Sequence, residues 1–184
     1  MKSRMMIVAM AFAPVTLFAQ NADKSPQARI DAAISAAAEA HVPTSLLTSK
    51  VAEGTAKHVS QDRIASAVET RLQSLLRASA ALDRANIESD NAAELSVTAD
   101  ALEAGVSENA VIRVNKTAPE DRRVVAVAVL ADMVRLGQTS DAALARVTAA
   151  VSTSAALANL NAEVASQLKL GGLSSTLDGV LRLQ

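Results

Sequence analysis

The sequence predicts an all-α fold of short helices in stacked pairs, either an α-solenoid-like array or an irregular helical bundle. Three observations carry this reading. Apolar residues recur at helical spacing from Ser25 onward. Helix-starting Ser, Thr and Asn and helix-stopping Gly and His punctuate the chain at short intervals. The two aromatic residues, Phe12 and Phe18, both lie near the start. The core must therefore be built from Leu, Ile, Val and Ala, whose small volumes let helices approach closely.

The elements follow in order. Ser25 before Pro26 starts a helix, with proline in the first turn where its missing N–H costs nothing. Ile30, Ala33, Ile34 and Ala37 mark its buried face. Residues 43 to 56 form a second helix with Leu46, Leu47 and Val51 as its stripe. The strongest period runs from 60 to 82 through Ile64, Val68, Leu72, Leu75, Leu76 and Leu82, and the polar run "DRANIESDN" ends it. Asn91 and Glu94 form a capping box for a helix that reaches Ala104 and stops at Gly105. A short helix spans Glu108 to about Asn115. Thr117 and Glu120 form a second capping box around Pro119, opening "EDRRVVAVAVLADMVRLG". The centre of that segment also suits a buried strand, but its length and the closing Gly137 favour a helix. Two more helices run from about 140 to 151 and 155 to 169, and Gly171-Gly172 separates a last short one ending near Leu183.

The breaks repeat. "HVPTSLLTSKV" starts at 41, "HVSQDRIASAV" at 58, "GVSENAVIRVN" at 105 and "GQTSDAALARV" at 137. Each places His or Gly first and an apolar residue six places on: Leu47, Ile64, Val111 and Ala143. Val51, Val68 and Val147 fill the tenth place, which Asn115 breaks. The last two starts lie 32 residues apart, the length of a helical hairpin. His41 and His58 thus occupy the place of helix-stopping glycines, where a left-handed backbone is often required and where His is enriched among residues with a β-carbon.

Residues 1–19 read as a signal peptide: Lys2 and Arg4 precede an apolar run from Met5, with cleavage expected after Ala19. That run would reach about 22 Å as a helix, short of a bilayer core of roughly 30 Å. No later segment is apolar enough to span. A periplasmic or secreted protein is expected, with a flexible stretch at 20–24 and a single helical domain of degenerate helix-pair repeats at 25–184. With Lys2 and Arg4 removed, 19 acidic residues exceed the basic ones by three. Mild negative charge opposes nucleic-acid binding, which needs a basic patch. Without aromatic residues there is no stacking platform for bases or sugars. Without cysteine there is no disulfide, so packing alone must supply stability.

No nucleophile motif, phosphate loop, dinucleotide fingerprint or zinc-helix motif occurs, so no catalytic residue and no cofactor are expected. A metal site joining His41, His58, Glu53 and Asp62 is the rival reading of the histidines, but it lacks ligand spacing and cysteine. Glu53 and Lys57, four apart, form a helical ion pair. Gly54 beside them marks either an early helix end or a tight helix crossing. Arg122 and Arg123 read as a solvated face, with an anion site as the minority alternative. Glu53, Lys57, Arg63, Arg122 and Arg123 make up the candidate interaction patch.

"VPTSLLTSKVAEGTAKHVSQDRIASAV" resembles exported, uncharacterised bacterial all-helical proteins, most closely over residues 42 to 64. The resemblance implies a secreted all-helical chain and carries over no activity or site residue. The expected function is a non-catalytic helical interaction or structural module of the bacterial envelope, bound to a protein partner or to itself. The alternative is a carrier holding a small apolar or acidic ligand between helices, which requires a pocket of roughly 300 Å³.

Overall fold

A computed structural model describes residues 25–87 and 91–181, the side chains as far as Leu170. The expected signal peptide and the stretch at 20–24 lie outside the described residues. Eight helices are described, with no strand among those residues: α1 Pro26–Glu39, α2 Ser45–Ala56, α3 Gln61–Ala85, α4 Ala92–Glu103, α5 Glu108–Thr117, α6 Glu120–Arg135, α7 Ser140–Ala150 and α8 Ser154–Leu181. The all-α prediction holds.

One device ends five of them. His41, His58, Asn86, Gly105 and Gly137 all have positive φ, between 54° and 89°. The residue after each bonds back five places, as in Val42 N to Ala37 O and Val59 N to Gly54 O. The same bond recurs in Ile87 N to Leu82 O, Val106 N to Ala101 O and Gln138 N to Met133 O. This is the Schellman stop, which occupies carbonyls that the helix end leaves open. Its usual companion is an apolar contact between the residue after the left-handed one and the last full turn. Val42, Val106, Ala37 and Ala101 are accordingly buried. The "His/Gly-Val" pattern of the sequence is this motif.

Three sequence expectations need correction. α3 runs through Asp83 and Arg84 to Ala85 and stops at Asn86, because Asn is among the few residues with a β-carbon that adopt the left-handed conformation. Thr117 does not cap α6. It belongs to α5, where its Oγ1 donates to Arg113 O, and Ala118, extended as pre-proline residues prefer, leaves Pro119 at the cap position. α8 continues across Gly171-Gly172. Each glycine weakens a helix by about 1 kcal/mol without forbidding it.

The helices stack in order. α1 and α2 pack on α3, α3 on α4 and α5, α4 on α6, α5 on α6 and α7, and both α6 and α7 on α8. Every substantial contact joins helices one or two apart in the chain. The stack is therefore open: among the described residues α1 and α2 make no substantial contact with α6, α7 or α8. Its core is one continuous cluster of Ile, Leu, Val and Ala with Met133, from Ile30 to Val164. The segment "VVAVAVL" lies within α6, whose Ala126, Val127, Val129, Leu130, Ala131 and Met133 are buried because helices flank it on several sides. Asn115, which interrupts the apolar column, is buried; its Nδ2 donates to Val111 O while its Oδ1 has no partner among the described residues.

Candidate functional site

Helices α2 and α3 cross tightly. A β-carbon at Gly54 would lie 2.7 Å from Ile64 Cγ1, so Gly54 is a contact point between α2 and α3. That crossing brings Glu53, Lys57 and Arg63 around one hollow of about 210 Å³. Glu53 Oε1 accepts from Lys57 Nζ at 2.5 Å, the expected pair, and Oε2 accepts from Lys50 Nζ at 2.9 Å. The bonds from Lys57 and then Lys50 hold the Glu53 carboxyl down at about 2, against an ordinary 4.5. A depressed carboxyl pKa contributes stability above the unfolded value and loses it as pH falls through the folded one. A carbon-detected NMR titration is therefore expected to find Glu53 still ionised at pH 3. In Lys57→Met its midpoint should rise toward the ordinary value, while the Lys50 bond still holds it below. The group is solvent-exposed, so little stability attaches to it.

The hollow adjoins a larger groove of about 590 Å³, sharing Lys50, Glu53 and Ala67 with it. The groove runs over Ser66, Thr70 and Arg71 of α3 to Ser96, Asp100 and Glu103 of α4. Arg71 organises that far wall. Its Nη1 donates to Asp100 Oδ1 at 2.6 Å and Glu103 Oε1 at 3.0 Å, and its Nη2 to Ser96 Oγ at 2.9 Å. Sequence reading missed these residues because Arg71 finds partners 29 and 32 residues away, which only packing brings together. One local signal existed: Asp100 and Glu103 sit in the last turn of α4, where the macrodipole favours cations.

Arg122 and Arg123 do not join this patch, nor do they form a solvated face. Arg122 Nη1 donates to Val151 O at 2.7 Å, closing a carbonyl at the end of α7. Arg123 Nη1 donates to Glu94 Oε1 at 2.8 Å, with side chains only 16% and 6% exposed. Asn91 caps α4 by accepting from Ala93 N and Glu94 N, but Glu94 turns to Arg123 instead of completing the box. The cause is the packing of α6 on α4, which sets a guanidinium where the carboxylate would otherwise meet water. Arg122 also borders a separate hollow of about 340 Å³ with Val125, Leu157 and Ala158.

His41 and His58 close different helices, and Asp62 faces Arg29 at 4.0 Å. Among the described residues no group of three or more His, Cys, Asp or Glu is placed to hold a metal ion. Among them, too, no helix is long and apolar enough to cross a membrane. No protein-family model, curated protein or solved structure matches the chain.

Proposed function

We propose that the chain is an exported, non-catalytic helical interaction module of the bacterial envelope. The observation that carries the reading is the open groove of about 590 Å³ between α2 and α4, walled by charged side chains already held by ion pairs. Preorganised polar groups on a rigid floor suit recognition, since little side-chain freedom is left to lose on binding. The basic start and apolar run of residues 1–19 support export, and the likeness of residues 42–64 to exported bacterial helical proteins points the same way. The test is native purification of the chain from envelope fractions, with the mass of its N-terminus determined. A mature chain beginning at Gln20, in a stoichiometric complex or as a defined homo-oligomer, is the expected result. A chain that purifies alone as a monomer, at every concentration tested, would refute the reading.

The hollow beside Arg122 favours a second reading, a carrier of a small apolar or acidic ligand. Its volume of about 340 Å³ and its Val125 and Leu157 walls meet the requirement set by such a ligand. Its guanidinium is already spent on Val151 O, which ranks this reading second. Stoichiometric uptake of a fluorescent fatty acid, lost in Leu157→Gln, would reverse that ranking.

A further inference from the structure

We propose that the groove between α2 and α4 and the hollow adjoining it dock a polypeptide segment of mixed charge, which presents a basic side chain to Asp100 and Glu103 in the groove and an acidic one to Lys57 and Arg63 at the hollow. The proposal rests on the interaction-module reading and names the partner's chemistry.

The shape comes from the packing. α2 and α4 each lie on α3 without substantial contact with each other, so α3 forms a floor between two walls. The exposed floor residues Ser66 and Thr70 are too small to fill it. The groove and the hollow beside it adjoin along Lys50, Glu53 and Ala67, so charged groups from Arg63 to Glu103 lie on one face.

The charges divide along it. On the α4 wall one guanidinium meets two carboxylates, and Arg71 is itself largely covered. Asp100 and Glu103 remain 44% and 43% exposed, each with one oxygen outside the Arg71 bonds. They also stand at the negative end of the α4 dipole, which disfavours them. Natural sequences break such a local rule most often where a site is in use. At the other end, Lys50, Lys57 and Arg63 outnumber Glu53, and Arg63 is exposed with no partner among the described residues. A uniformly basic or acidic ligand would be repelled at one end. A segment carrying both signs satisfies both, and charge complementarity of this kind sets orientation as well as affinity.

The test is fluorescence anisotropy on the full chain with a short labelled peptide of Ala, Lys and Glu, its Lys and Glu gathered at opposite ends. Saturable binding is expected, weakening as salt rises. Glu103→Gln and Arg63→Gln should each weaken it by about fivefold or more while leaving the thermal midpoint nearly unchanged, since both groups are exposed. An all-Lys peptide, an all-Glu peptide and spermine should bind at least about tenfold more weakly. Absence of saturable binding, equal binding of spermine or of either single-sign peptide, or unchanged affinity in both folded variants would overturn the proposal. A native complex that survives Glu103→Gln and Arg63→Gln would leave the interaction module standing and remove only this groove from it.

Discussion

Glu94→Ala is expected to destabilise the protein by about 3–5 kcal/mol, the cost of leaving a buried charge without its partner. Glu94 and Arg123 are among the most covered ion-paired side chains described, and Arg123 Nε already has no hydrogen-bond partner among the described residues. Removing the carboxylate strands the guanidinium between α4 and α6, whose contact is central to the stack. Arg123→Ala should cost less, since Glu94 lies in the first turn of α4, where the dipole supports its charge. Replacing both, as Glu94→Leu with Arg123→Met, is expected to be neutral or stabilising, because apolar groups of similar volume avoid the desolvation penalty. Urea unfolding followed by circular dichroism measures all of these. A Glu94→Ala loss below about 1 kcal/mol would mean that water reaches the pair.

The second large effect is expected at Gly54. Alanine in a helix is favoured over glycine by roughly 0.5–1 kcal/mol, so Gly54→Ala should stabilise α2 if space allows. Space does not allow it without a shift: the added carbon would sit 2.7 Å from Ile64 Cγ1, so the buried, β-branched Ile64 must move. Overpacking costs about 1–3 kcal/mol, so Gly54→Ala should lose about 1–2 kcal/mol and Gly54→Leu about 3 or more. The cause can be isolated. In an Ile64→Ala background, Gly54→Ala should become neutral or favourable, giving a coupling of at least about 1 kcal/mol in the double-mutant cycle. Additive losses would place the strain elsewhere.

Much of the fold was legible because helix ends have strong local chemistry. His41, His58, Gly105 and Gly137 were readable as stops, and each has the left-handed backbone that role requires. Asn86 followed by Ile87 is the same signature, hidden by the charged residues around it. Gly171-Gly172 misled in the opposite sense, since paired glycines lower helix stability without setting a stop. The site was legible only where partners lie close in sequence. Glu53 with Lys57 is an i, i+4 pair and was found. Arg71 with Asp100, and Arg123 with Glu94, join different helices and depend on packing that no local pattern encodes. For the same reason Arg122 and Arg123 looked solvated: charge at the start of a helix does not reveal which neighbour will cover it.

The measurement that bears most directly on the interaction module is photo-crosslinking in living cells. A photoreactive residue replaces Ser66 on the groove floor, with Asp141 on α7, outside the groove, as the control position. One discrete cross-linked species from position 66 and none from position 141 is the predicted result. No cross-link from position 66, or the same products from both positions, would contradict it.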